Sequence, residues 1–357
     1  MACSSPLYRV PDGSPGLPAF AVHKIRNGGF IFGAGILDIM TQCCGERAIQ
    51  VLRCGQCLDC RLHYSKQWAI RCMLEAEQWQ NNYFITLTYA DPFLPRGEFM
   101  CLKEGIVKNS NLQRDDFQKF MKRFRSKCKR EYGHDNVRVF YCGEYGDLYD
   151  RPHYHAILFN CPDLSSTFTF KSRFGSVVHY DSSFLQDAWT DPDSGVSLGF
   201  SSISDVTFDT CAYTARYITK KINGEQKKHI MKLADQLSDE GIEIRSNPFV
   251  GMSLKPGLAR EYYEKNTLDI YLNDEVPYHK DFKTFWSKPP RYFDKLFDID
   301  FPEASAELKE SRIDAALASK QGKTLLYSED GDLRALREKK MLERRECRRH
   351  NDNINFG

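Results

Sequence analysis

The 357-residue sequence contains no apolar run near the ~18 residues that a membrane span requires. Its most apolar early segment, Phe30 to Met40, is short and carries Asp38. Met1 to Val10 has neither a basic start nor an apolar core, so no secretory signal is expected. There is no Gly-x-x-x-x-Gly-Lys-[Ser/Thr] phosphate loop, which argues against a fused motor of the helicase type. No internal repeat is evident, and the net charge is only +2. That small total is neutral as to partners, because a polyanion is bound by a basic face and not by a basic sum. Cysteine, by contrast, is not scarce: the chain has 13. Without a signal segment the expectation is a soluble protein of a reducing cytoplasm, its cysteines unbridged or metal-bound.

Composition is that of a folded protein with ample material for a core, at 41% hydrophobic and 27% charged. The aromatic share of 13% fits base stacking and ordinary core packing alike. Residues up to about 45, with irregular prolines and glycines, read as an arm. Leu58 to Trp79 has helical periodicity, with Leu62, Trp68, Cys72, Met73, Ala76 and Trp79 near one side. Tyr83 to Tyr89 reads as a strand that stops at Asp91-Pro92. Leu112 to Glu131 reads as an amphipathic helix with the stripe Phe117, Phe120, Met121, Phe124 and Cys128, ended by Gly133. Val137 to Cys142 and Pro152 to Phe159 read as two further strands joined as a hairpin through Gly143-Glu144-Tyr145-Gly146-Asp147. Asp205 to Ile222 reads as a helix closed by Asn223-Gly224, and the rest as more helical and charged, with a break at Lys288 to Arg291. Strands followed by helices point to an α+β fold: an antiparallel sheet with helices on one face, the open face carrying the site.

Two of these elements carry candidate chemistry. In a strand, side chains alternate, so His153 and His155 project to the same face about 7 Å apart. A bare His-x-His is common by chance, but here it leads a fully apolar strand, where unpartnered imidazoles are costly to bury. Glu144, across the hairpin, completes two nitrogens and a carboxylate, a set suited to Mg²⁺ or Mn²⁺ with open positions for phosphate oxygens. Zinc with a bound hydroxide is the competing choice, and Asp147 is the competing third ligand. On the helix, Cys211, Ala215, Ile218 and Ile222 form an apolar stripe. Tyr213, Tyr217 and Lys220 follow the same spacing displaced by two residues, about 200° around, so they face away from that stripe. A tyrosine hydroxyl ordinarily titrates near 10, and a neighbouring lysine or metal makes it a usable nucleophile.

Other features admit plain readings beside functional ones. Cys54-x-x-Cys57, with Cys43 and Cys60 close in sequence, has the spacing of a structural Zn²⁺ turn, although the second pair, Cys43-Cys44, is adjacent rather than spaced. Otherwise these thiols are packed at the start of a helix. Leu112 to Arg130 carries eight Lys/Arg against two Asp, a surface able to track phosphates through Lys119, Lys122 and Arg123. Arg216 and Lys221 beside the tyrosines are further candidates for DNA contact. Arg334 to His350, with eight Lys/Arg against three Glu, is a basic tail.

The combination resembles the HUH endonuclease superfamily of rolling-circle replication initiators, and within it the initiators of the Microviridae, the gokushovirus branch in particular. The resemblance rests on Phe84-Ile85-Thr86-Leu87-Thr88, on Arg151-Pro152-His153-Tyr154-His155, and on Tyr213-x-x-x-Tyr217-x-x-Lys220. It rests also on Cys54-Gly-x-Cys57-x-x-Cys60, Trp68-Ala-Ile-Arg71, Lys255-Pro256-Gly257 and Pro289-Pro290-Arg291-Tyr292, together spanning roughly Cys54 to Leu296. It implies a ferredoxin- or RRM-like nicking domain over residues 54–225, an arm over 1–53, and a mainly helical region with a basic tail over 226–357. It implies that Tyr213 and Tyr217 attack a phosphate at the origin, leaving a 5′-phosphotyrosine and a 3′-OH for a host polymerase, with a host helicase as a further partner. It further implies that His153, His155 and Glu144 hold the metal, in the cytoplasm of a bacterial host. A relaxase or transposase of the same chemistry, and a non-catalytic zinc-containing DNA-binding protein, are the alternatives.

Overall fold

A computed structural model describes residues 7–11, 25–27, 30–34, 49–55, 57–101, 105–146, 149–175, 177–216, 243–281 and 283–323. These residues form two compact units, one within residues 55–293 and the other within 5–54 and 294–357. In the stretch read as an arm, β1 (Leu7–Pro11), β2 (Ile25–Asn27), β3 (Phe30–Ala34) and β4 (Gln50–Leu52) form an antiparallel sheet in the order β2-β3-β1-β4.

The other unit runs through α1 (Leu58–Ala76), β5 (Tyr83–Thr88), β6 (Arg96–Cys101), β7 (Gly105–Ser110), α2 (Arg114–Tyr132), β8 (Arg138–Tyr145) and β9 (Pro152–Phe159). It continues with β10 (Phe168–Phe174), β11 (Val177–Ser182), α3 (Ser183–Ala188), β12 (Ser201–Asp205) and α4 (Phe208–Arg216). Beyond these lie β13 (Glu243–Ile244), β14 (Phe249–Met252), α5 (Arg260–Asn273), β15 (Val276–Lys280) and β16 (Lys283–Ser287). Two helices, α6 (Arg291–Asp300) and α7 (Pro302–Lys323), follow, and from Asp294 on they belong to the unit that holds β1 to β4.

The α+β class holds. Seven strands pair antiparallel throughout, in the order β10-β11-β12-β5-β9-β8-β14. Its edge strand β14 comes from downstream of residue 225, a four-residue segment too short to stand out in the sequence. The covering differs in one respect from a sheet dressed on one face. Alternation sends Tyr83, Ile85, Leu87, Val139, Tyr141, Ala156 and Leu158 to one side, where they pack on Phe117, Phe120, Met121 and Phe124 of α2 and on Phe184 and Leu185 of α3. Phe84, Phe140, Cys142, Ile157 and Phe159 go to the other, against Trp68, Ala69 and Cys72 of α1 and Cys211 and Ala215 of α4. The physical reason lies in β8 and β9, which are apolar on both faces, the mark of strands buried on both sides.

Local chemistry explains the helices. The expected α2 stripe is buried in full, the helix ends on Gly133 at φ 70°, and Asp115 and Asp116 open it while Lys129 and Arg130 close it, matching the helix dipole. α4 starts at Phe208 instead of Asp205, because Asp205 ends β12 opposite Tyr83. Its Cys211 and Ala215 face the core as expected, and Ser65 Oγ ties α1 to it by donating to Ala212 O at 2.9 Å.

Three separated sequence motifs meet behind this layer. The Arg71 guanidinium lies between the rings of Trp68 and Tyr292, 4.1 and 4.0 Å from their centroids, and donates to Leu258 O at 2.9 Å. Gly257 must lack a side chain, since a Cβ there would stand 2.4 Å from the Tyr292 hydroxyl. Glu75, buried one turn from Arg71, pairs with Arg138 at 2.9 Å and accepts from Trp79 Nε1 at 3.0 Å and from Ala259 N at 2.5 Å. These motifs are an architectural clamp. Glu75→Ala leaves Arg138 buried without its partner and is expected to cost about 3–5 kcal/mol, read as a lower midpoint in chemical unfolding.

Candidate active site

The central hairpin builds the site. β8 and β9 pair so that Glu144 stands opposite His153 and Cys142 opposite His155, while β5 sets Thr86 opposite His155 and Thr88 opposite His153. Facing residues project to the same side of a sheet, so the hydroxyl, imidazole and carboxylate groups converge where the strands lose their apolar run.

Glu144 is the hub. Its Oε1 lies 3.1 Å from His153 Nε2 and 3.0 Å from His155 Nε2, and it accepts a hydrogen bond from the Tyr213 hydroxyl at 2.8 Å. The histidine rings stand 4.9 Å apart at 87°, and the Tyr213 ring meets His155 edge-on at 4.9 Å and 90°. His155 stacks on Phe84 at 5.6 Å, and its Nδ1 is 2.9 Å from Thr86 Oγ1. His153 Nδ1 lies 3.1 Å from Arg151 O. Arg151 is fixed in turn by Asp91 Oδ1 at 2.5 Å and Tyr89 O at 2.8 Å.

The electrostatics ask for a cation. Burial opposes charge on Glu144, but the His153 and His155 imidazoles against its Oε1 outweigh that cost and hold the carboxyl well below the usual range. Burial pushes His155 down toward the neutral imidazole, and its buried Nε2 makes no hydrogen bond of acceptable angle. Two imidazole nitrogens and a carboxylate oxygen lie within 4.8 Å of one another. A divalent ion fits that donor set, two neutral nitrogens and one hard oxygen with positions left open.

The sequence-derived candidates divide clearly. Glu144, His153, His155 and Tyr213 come together, and the exposed Arg216 places its guanidinium 5.3 Å from the Tyr213 ring. Asp147, Tyr217, Lys220, Lys221 and Cys43 lie outside the described residues. Tyr213 turns toward the sheet and not away from it, because helix α4 lies over β8 and β9 with its stripe against α1. Lys119, Lys122 and Arg123 belong to α2, which packs on the opposite face from the histidines, and Arg123 Nε donates to Ala188 O at 2.8 Å. Cys57 immediately precedes α1 and Cys60 lies in its first turn, and with Cys54 they form a group of three sulfurs within 4.8 Å of one another. No described cysteine is in a disulfide. Thr86 and Phe84, which hold His155, stood out in the sequence only as members of a strand and of the Phe84–Thr88 motif, without a role at the site.

The comparisons with known proteins cover this region. The family model for replication-associated proteins of the ORF2 type matches residues 82–222, a span that includes every residue of the cluster. Replication-associated protein VP4 of Bdellovibrio phage phiMH2K is 31% identical over 243 residues, 62% of this chain and 70% of that protein. Replication-associated protein ORF2 of Spiroplasma virus 4 is 28% identical over 256 residues, 70% and 68% of the two chains. ORF4 of Chlamydia phage 1, also a replication-associated protein, is 27% identical over 173 residues, 48% of this chain and 38% of its own length. No solved structure matches the chain. The protein belongs to the family of phage replication-associated proteins and is a replication initiator of the Microviridae type.

Proposed function

We propose that the protein nicks one strand of its phage origin by attack of a tyrosine hydroxyl on phosphorus, and later rejoins the strand. The observation that carries this reading is the Tyr213 hydroxyl 2.8 Å from a carboxylate that both histidines also approach. Tyr213 Oη forms the new P–O bond, the bond from phosphorus to the 3′ oxygen breaks, and that oxygen takes a proton to become the 3′-OH. The phenol proton leaves along the bond to Glu144, but a carboxyl held so far below its usual range passes it on to solvent. His153, His155 and Glu144 would hold Mg²⁺ or Mn²⁺, which supplies positive charge to the scissile phosphate.

Arg216, whose guanidinium lies 5.3 Å from the Tyr213 ring, would contact the DNA backbone. Tyr217, four residues on in the sequence, would take the second cleavage, and Lys220 and Lys221 would hold phosphate oxygens. The 5′-phosphotyrosine keeps the energy of the broken diester, so rejoining needs no nucleotide. The 3′-OH serves a host polymerase on DNA unwound by a host helicase, in the bacterial cytoplasm. Lys119, Lys122 and Arg123, on the other face, would bind DNA away from the cut. Cys57 and Cys60, with Cys43 and Cys54, are candidates for a structural Zn²⁺.

Incubating the full chain with end-labelled single-stranded origin DNA and Mn²⁺ is expected to yield a labelled protein band that survives detergent, and EDTA is expected to abolish it. A chain that binds the DNA but leaves no such band under any divalent ion would overturn the reading.

A further inference from the structure

Phe200 is 66% exposed, yet its backbone is pinned from both sides. Thr88 N donates to Phe200 O at 2.9 Å and Phe200 N to Thr88 O at 3.1 Å, extending the β12–β5 ladder by one step. Gln186 grips the neighbours: its Nε2 donates to Gly199 O at 2.7 Å, and its Oε1 accepts from Ser201 Oγ at 2.7 Å. Gly199 cannot be anything larger, since a Cβ there would stand 2.0 Å from Thr88 O. A large apolar ring that the core leaves in solvent thus stands on firmly held backbone, and a rigid support positions a contact side chain precisely enough to be selective.

Register places that ring in line with the site. Phe200 opposes Thr88, Thr88 opposes His153, and His153 opposes Glu144, one row across four strands. The four side chains therefore share a face, with Phe200 two strands from His153, about 10 Å away. Alternation puts Ser202 and Thr86 on that face and sends Ser201, Ile203, Ile85 and Leu87 to the other. Lys171 reaches the same rim, its Nζ donating to Asp181 Oδ1 at 2.7 Å and Ser201 O at 3.3 Å.

An exposed ring beside hydroxyls and an ammonium, adjoining a phosphate-cleaving centre, matches one occupant: an unpaired nucleotide. A base in a duplex has no free face to offer, whereas single strands bind by stacking on such rings with basic groups along the backbone. We propose that Phe200 is the stacking platform for a base of the cut strand beside the scissile phosphate, and so helps to set where the strand is cut. This rests on the nicking reading above.

The covalent adduct of the unaltered chain first maps the cut, which tests nicking by itself. Binding of a fluorescein-labelled single-stranded oligonucleotide across that position is then measured by anisotropy in a Tyr213→Phe/Tyr217→Phe background, where no cleavage intervenes. Phe200→Ala is expected to weaken binding about tenfold, and Phe200→Trp to keep it. An abasic site scanned along the oligonucleotide should weaken binding by the Phe200 chain at one position near the cut, a penalty that vanishes in Phe200→Ala. Equal affinities for the Phe and Ala chains, or an abasic profile that Ala leaves unchanged, overturn the proposal while nicking stands. Absence of any adduct overturns both. Because the ring is exposed, unchanged melting of Phe200→Ala is the expected control.

Discussion

Replacing His153 and His155 together by alanine is expected to abolish covalent cleavage, with a loss of at least about a thousandfold. Charge placed on a scissile phosphate is worth several kcal/mol in the transition state, and each ~1.36 kcal/mol is tenfold in rate. The same change also carries a stability cost that must be separated from it. Glu144 is buried, and removing both imidazoles leaves its carboxylate with only the Tyr213 hydroxyl, a loss of up to about 3–5 kcal/mol. The sign follows from the direction of its shift. A carboxyl whose folded value is lowered contributes stability above its unfolded value, and loses it as pH falls through the folded one. The double alanine chain is therefore expected to be destabilised most at neutral pH and least in acid. Adding Glu144→Gln to it should restore most of the melting temperature and none of the cleavage. Cleavage that survives in a folded His153→Ala/His155→Ala chain, assayed by the detergent-resistant band, would remove the metal assignment.

The second large effect belongs to the tyrosines. Tyr213→Phe removes the attacking oxygen but keeps the ring that meets His155 at 4.9 Å. The lost hydrogen bond to Glu144 costs only about 0.5–1.5 kcal/mol, or up to about 3 for a charged acceptor. The variant should fold, and its failure should be chemical. With Tyr217 intact, one cleavage remains possible and a reduced adduct is expected. In Tyr213→Phe/Tyr217→Phe the adduct should disappear while binding of single-stranded DNA persists. Adduct in the double variant, mapped by peptide mass, would move the nucleophile to another residue.

Much of this was legible from local pattern. The period-two run of β9, the stripe of α2 and its glycine stop, and the Cys211–Ala215 face of α4 each depend on neighbours within a few residues. Such patterns survive any change of tertiary context. Glu144 as partner of both histidines was reachable because the hairpin joining β8 and β9 is short, so its register is nearly a local property. The direction of Tyr213 was not. Helix arithmetic sets angles between side chains on one helix, but not which way the whole helix is turned. Packing of α4 against α1, through Ser65 and Ala212 among others, decides that.

By itself, then, the sequence determined β5, β8, β9, α1, α2 and the face of α4, the His153–His155 spacing and the chemistry those residue types permit, because each is written in short-range periodicity. Only the tertiary structure decided that helices cover both faces of the sheet, and that Arg71, Gly257 and Tyr292 close one clamp. It alone brought the Tyr213 hydroxyl to within 2.8 Å of Glu144, and set Phe200 in the row of His153. Those are long-range contacts, and the free energy that selects them is burial and pairing between segments far apart in the chain, for which no local pattern is a record.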